Sequence, residues 1–126
     1  MRCELRHLHS PDARNLEHFT PVEPSEFGLL IQAMVGPSDG IGEESFAFVA
    51  CSPAWLARRA DEGGRWGRGL FILEKYDYGV IVSAVRKLCQ SMEAPTWDEI
   101  AQRLAAFTSW EFDGYTGHDE TTNGAR

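Results

Sequence analysis

Phe27-Gly28-Leu29-Leu30-Ile31-Gln32-Ala33-Met34-Val35 sets Phe27, Leu29, Ile31, Ala33 and Val35 on one side of an extended chain. Successive side chains of a strand point to opposite faces, so this period of two predicts a strand with one well-buried face. The turn-forming run Gly36-Pro37-Ser38-Asp39-Gly40-Ile41-Gly42 follows. After it, Phe46, Phe48 and Ala50 alternate with Ser45, Ala47 and Val49 up to Cys51. The two alternating runs around a Gly/Pro turn predict an antiparallel pair.

Outward from this pair, residues 2–9 also alternate, with Cys3, Leu5, His7 and His9 expected on one side and Arg2, Glu4, Arg6 and Leu8 on the other. Residues 10–25 hold Pro11, Pro21 and Pro24 and predict a loop-rich segment with an extended piece near Leu16–Phe19. Downstream, Ser52-Pro53 opens a short helix: Ser52 suits the N-cap, and proline suits the first helical position, whose N–H has no partner anyway. Leu70-Phe71-Ile72-Leu73 is a continuous apolar run, the pattern of a strand covered on both faces. Asp77 can cap the next helix, where Ile81, Ala84, Val85, Leu88 and Met92 recur at helical spacing. Thr96-Trp97-Asp98-Glu99 has the form of a capping box, and Trp97, Ile100, Ala101, Leu104 and Phe107 make the apolar stripe behind it. Residues 116–126 are polar and predict a frayed tail. Helices with a single apolar stripe must lie on a sheet. The expected fold is therefore α+β, a two-layer domain with a mostly antiparallel sheet of about four strands and two or three helices on one face.

A chain of 126 residues makes one domain, residues 1–126, able to bury a core without staples. No apolar run nears the roughly 20 residues of a membrane-spanning helix, and the first residues lack the apolar centre of a signal peptide. Cys3, Cys51 and Cys89 are odd in number and far apart, as expected of reduced, mostly buried thiols in a cytoplasmic protein. The net charge of −7 is uneven: residues 51–90 carry +3 and each flank carries −5. An acidic chain is repelled by nucleic acids and anionic membranes and is attracted to basic partners.

Sites for chemistry are sparse. His7 and His9 share a strand face and could chelate a metal, but no third ligand is indicated. The Gly63-Gly64 to Gly69 loop lacks the Gly-Lys-Ser/Thr ending of a phosphate cradle. The carboxylate pairs Glu43/Glu44, Asp61/Glu62, Asp98/Glu99 and Glu111/Asp113 lack a defining pocket, and Asp98/Glu99 already serve a helix N-terminus. Cys51 ends an apolar strand pattern, and no serine sits in a nucleophile elbow. Trp55, Trp97 and Trp110 read as core anchors, whereas Trp66, set among glycines and arginines, reads as a contact residue.

An ordered set of local patterns resembles the immunity protein 8 family of bacterial polymorphic-toxin systems. These are Glu44-Ser45-Phe46 leading to Cys51-Ser52-Pro53-Ala54-Trp55-Leu56, then Gly67-Arg68-Gly69-Leu70-Phe71-Ile72-Leu73-Glu74-Lys75-Tyr76-Asp77-Tyr78, then Thr96-Trp97-Asp98-Glu99-Ile100-Ala101, and last Trp110-Glu111-Phe112. The resemblance spans roughly residues 26–115. It implies a small cytoplasmic α+β protein that binds and neutralises a cognate secreted toxin, with no catalysis and no catalytic residue; no cofactor and no metal are expected. In that setting Trp55, Leu73 and Trp97 hold helices to the sheet, and Trp110, Glu111 and Phe112 fasten the chain end.

Toxins of such systems are often nucleases, and nucleic-acid enzymes tend to be basic. The expected partner is thus a basic protein toxin, with no direct binding to nucleic acid or membrane. Candidate contacts are Asp39, Glu43 and Glu44 at the hairpin, Arg65, Trp66 and Arg68 in the glycine-rich loop, and Glu111, Asp113 and Asp119 near the C-terminus. Two other readings are an adaptor or regulatory protein-binding domain and a small enzyme using Cys51 or a histidine–carboxylate site.

Overall fold

The fold was analysed in a computed structural model, which describes residues 1–59, 63–64 and 66–110. Among the described residues, five strands and three helices follow one another as β1 (Cys3–His9), β2 (Gly28–Pro37), β3 (Glu44–Cys51), α1 (Pro53–Arg59), β4 (Leu70–Ile72), α2 (Tyr78–Gln90), α3 (Trp97–Leu104) and β5 (Ser109–Trp110). The sheet runs β1-β2-β3-β4, and β5 joins β3 on the same side as β4. All pairings are antiparallel except β3 with β4, which are parallel. This is the α+β, mostly antiparallel architecture that the alternation predicts. The β2–β3 ladder is regular from Gly28 opposite Cys51 to Val35 opposite Glu44.

Because that ladder has no slip, the side chains sort by parity. Leu29, Ile31, Ala33 and Val35 of β2, with Phe46, Phe48 and Ala50 of β3, are all buried. They face α2 and α3, which contribute Ile81, Cys89, Ile100, Ala101 and Leu104 to the same core. Ile31 and Ile100 are 0% exposed and Phe46 and Ile81 are 1% exposed, placing the best-buried side chains at this sheet–helix seam. Each such side chain is worth about 1.5–3 kcal/mol relative to exposure. The predicted caps form: Asp77 accepts from the Val80 N–H at 3.1 Å, and Thr96 accepts from the Glu99 N–H at 3.2 Å.

Four local expectations are corrected. The ladder between β1 and β2 slips between Leu5 and His7, leaving Arg6 as an extra residue. A bulge of one residue reverses the faces beyond it. Cys3, Leu5 and Leu8 thus turn toward the core and His7 and His9 point outward, instead of all but Leu8 sharing one face. Second, Leu16–Phe19 is a turn rather than an extended piece. The Asn15 Oδ1 accepts from the Glu17 and His18 N–H groups at 3.0 and 3.3 Å and bends the backbone. Tyr76 pins this loop, its hydroxyl donating to the Leu16 carbonyl at 2.5 Å and its ring meeting Phe19 and Phe27 in T-shaped contacts.

Third, β4 spans only Leu70–Ile72 and pairs only with β3, so Leu70 and Phe71 are half-buried and Ile72 is exposed. An apolar run this short fits a partly covered outer position as well as a central one, and pattern alone does not separate them. Fourth, Phe107 is exposed, because α3 ends at Leu104 and its periodicity no longer directs the side chain.

The two helices α2 and α3 cover one face of the sheet. The short α1 sits against the other. An added Cβ on Gly28 would lie 2.1 Å from the Trp55 ring, so that ring rests directly on the β2 backbone. The side chain of Gly28 would point away from the core by the parity of β2, which places Trp55 on the open face and not in the main core.

Candidate functional site

Two surfaces stand out. The first is the β2–β3 loop, whose shape is set by Arg6. Strand β1 bulges at this residue, and its guanidinium reaches over the loop. Nη2 donates to the carbonyls of Pro37, Gly40 and Gly42 at 2.9, 3.0 and 3.1 Å, while Nη1 donates to Glu4 Oε2 at 2.7 Å. Gly36 makes room for this closure: a Cβ there would stand 2.1 Å from the Gly42 carbonyl oxygen. Gly42 itself has φ +95°, a conformation that glycine adopts without steric cost. The loop so held presents Asp39 and Glu43, both exposed, on either side of Ile41, which is 96% exposed.

Arg6 was not among the sequence candidates. The signal for it lies in the spacing Cys3, Leu5, Leu8, where a step of two is followed by a step of three. That irregularity marks a bulge, and the bulged residue is the arginine.

The second surface is a groove of about 630 Å³ on the open face of the sheet. It is lined by Leu30, Ala47, Val49 and Leu70 of the sheet, by Trp55, Leu56 and Arg59 of α1, and by Trp66. Trp66 is 97% exposed. The Arg59 guanidinium lies 4.5 Å above the Trp55 ring in a cation–π contact. Ser52 fixes α1 at this place. Its Oγ, fully buried, accepts from the Trp55 N–H at 3.3 Å as N-cap and from the Phe27 N–H at 3.1 Å, tying helix to strand.

The predicted contact residues divide sharply. Asp39, Glu43 and Trp66 are exposed. Glu44 is half-buried and accepts from Trp97 Nε1–H at 3.0 Å, and the Trp97 ring meets Phe46 in a T-shaped contact at 6.3 Å. That carboxylate orients an indole across the sheet–helix seam. Arg68 donates through Nε and Nη2 to the Ala105 carbonyl at 3.0 and 2.6 Å, holding the glycine-rich loop to the end of α3. Leu73 is half-buried against the core, and its N–H donates to the Cys51 carbonyl at 3.0 Å. Trp110 pairs through its backbone opposite Phe46. Arg65, Glu111, Phe112, Asp113 and Asp119 lie outside the described residues.

Among the described residues, the groups that the catalytic alternatives name do not converge. Burial pushes the Cys51 thiol up, away from the thiolate a nucleophile needs. Cys3 and Cys89 are buried and unbridged where β1 meets α2, the Cys3 thiol donating to the Cys89 carbonyl at 3.7 Å. The His7 and His9 rings stand 5.6 Å apart on the exposed face, and among the described residues no group of three His, Cys, Asp or Glu side chains could hold a metal ion. No helix among the described residues is long and apolar enough to cross a membrane.

The described residues thus present an acidic loop whose backbone Arg6 holds and an apolar groove on the open face of the sheet. The family model for immunity protein 8 matches residues 3–115, and the chain belongs to that family. No curated protein and no solved structure matches it.

Proposed function

We propose that this chain neutralises a cognate secreted bacterial toxin by binding it in the cytoplasm, without catalysis, as part of a polymorphic-toxin system. Membership of the immunity protein 8 family is the observation that carries this reading. A nuclease fits best as target. An acidic chain of net charge −7 complements the basic cleft of a nucleic-acid enzyme and speeds encounter with it.

Asp39 and Glu43 are the acids best placed for this contact, since both stand on a loop whose backbone is already held by Arg6. A preformed loop gives up little conformational freedom on binding. Glu111, Asp113 and Asp119 add charge from the C-terminal stretch. Glu44 and Arg68 belong to the scaffold in this reading, because both already hold other parts of the fold.

The test is co-expression with the toxin encoded beside this chain, scored for growth and for co-purification. Rescue and a stable complex are expected, with association slowing as salt rises from low to moderate. Failure to bind refutes the function. Binding with a salt-independent rate refutes only the electrostatic part.

A further inference from the structure

The open face of the sheet is unusual in what it carries. Where a solvated face normally alternates to polar residues, β2 and β3 place Leu30, Ala47 and Val49. Trp66 and Ile72, both exposed, extend this apolar surface. Apolar side chains grouped on a surface and rimmed by charge mark interaction sites, and tryptophan and arginine are the residues most enriched where binding energy concentrates.

The charged residues among the described ones that line the groove are Arg59 and Arg68. Arg58 is paired with Glu26 at 2.6 Å, but Arg59 meets no carboxylate among the described residues and is held only over the Trp55 ring. An arginine fixed beside an apolar floor suits a carboxylate taken out of bulk water, to which its planar fork donates two parallel hydrogen bonds.

We infer that this groove is the second half of the toxin-contact surface, and that it receives a bulky apolar side chain flanked by a carboxylate from a protein segment of the toxin. This rests on the toxin-binding function proposed above and deepens it. The apolar side chain lies on Leu30, Ala47 and Val49 beside Trp66, and the carboxylate meets Arg59. The acidic loop and the groove stand about 17 Å apart along β2, at Val35 and Leu30 respectively. One partner surface can engage both, with its basic patch over Asp39 and Glu43 and its acid-flanked apolar anchor at the groove. The electrostatic match is then polar in direction and fixes the orientation of the complex, which net charge alone does not.

The experiment measures affinity of the co-expressed toxin, in catalytically inactive form, for the full chain and for Trp66→Ala, Arg59→Glu and Val49→Arg. Trp66 is 97% exposed, so its truncation leaves the fold intact, and an unchanged thermal midpoint checks this for every variant. Loss of about 30-fold or more for Trp66→Ala is expected, the scale of a binding hot spot. Arg59→Glu should weaken binding by about 10-fold or more and Arg59→Lys by less, because lysine keeps the charge without the fork. Wild-type affinity in the groove variants overturns this inference and leaves the proposed function standing. No binding by the wild-type chain overturns both. A groove-dependent homodimer, or binding of single-stranded RNA that Trp66→Ala abolishes, assigns the surface to another occupant and overturns the inference as well.

Discussion

Replacing Arg6 by alanine should loosen the β2–β3 loop more than its place near the N-terminus suggests. The magnitude follows from the geometry. Nη2 carries two hydrogens and approaches three carbonyl oxygens, those of Pro37, Gly40 and Gly42, so about two full hydrogen bonds are shared among three acceptors. A hydrogen bond from a charged donor contributes roughly 1.5–3 kcal/mol when buried and about 1 kcal/mol when water can replace it. The Gly40 and Gly42 contacts are exposed and the Pro37 contact is part-buried, so the lower figure applies to most of the cluster. The Glu4 pair, with that carboxylate about half exposed, adds little. The expected loss is about 1–2 kcal/mol. With an m-value of about 1.5–2 kcal/mol/M, the urea midpoint falls by roughly 0.5–1.3 M. Hydrogen exchange should report where the loss occurs: amides of residues 38–43 should lose protection while those of Ile31 and Phe46 change only with global stability. Arg6→Lys should recover part of the loss, since an ammonium can offer its three hydrogens to the carbonyls that a single guanidinium nitrogen meets here but lacks the second nitrogen that pairs with Glu4. A midpoint within error of wild type, with loop exchange unaltered, would refute the view that this guanidinium shapes the loop.

Two further outcomes are expected. Gly28→Ala puts a methyl group 2.1–2.5 Å from the Trp55 ring and should cost about 1–3 kcal/mol by urea unfolding; adding Trp55→Ala should make the glycine change nearly silent, and additive losses would count against direct contact. Tyr76 has its pKa pushed up to about 12, first by burial and then by the nearby negative charges of Tyr78 and Asp77. The unfolded chain loses that proton near 10, so the contribution is intact below pH 10 and declines as pH climbs to 12. Denaturation across that window should show a slope that Tyr76→Phe removes, and an unchanged slope would sink the assignment.

The order of elements was legible because each depends on short-range signals. Alternation set β2 and β3, and Ser52, Asp77 and Thr96 marked helix starts with side chains that do bond the expected N–H groups. What escaped depends on one-residue or long-range effects. The bulge at Arg6 turns His7 and His9 to the opposite face, and a strict count of two steps past such an insertion. Phe107 follows the last turn of α3, where period carries no information. The candidate surface was only partly legible for a different reason. Exposure of a charged residue is invisible in sequence when its partner is distant: Glu44 meets Trp97, fifty-three positions away, and Arg68 meets Ala105, thirty-seven away. The exposure of Asp39, Glu43 and Trp66 was legible because turn and glycine-rich contexts announce it locally.

The shared pairing of β4 and β5 on one side of β3 bears on how the sheet resists edge-to-edge addition. Lone strand edges template the addition of further chains. Here the far margin of β3 is sealed in two pieces, Val49–Cys51 by β4 and Phe46–Ala47 by β5. At the opposite margin, β1 is kinked by its bulge and bridged at Arg2 to Glu93. Among the described residues neither rim offers a long flat template, so the fold can keep an apolar groove open without inviting polymerisation through its sheet.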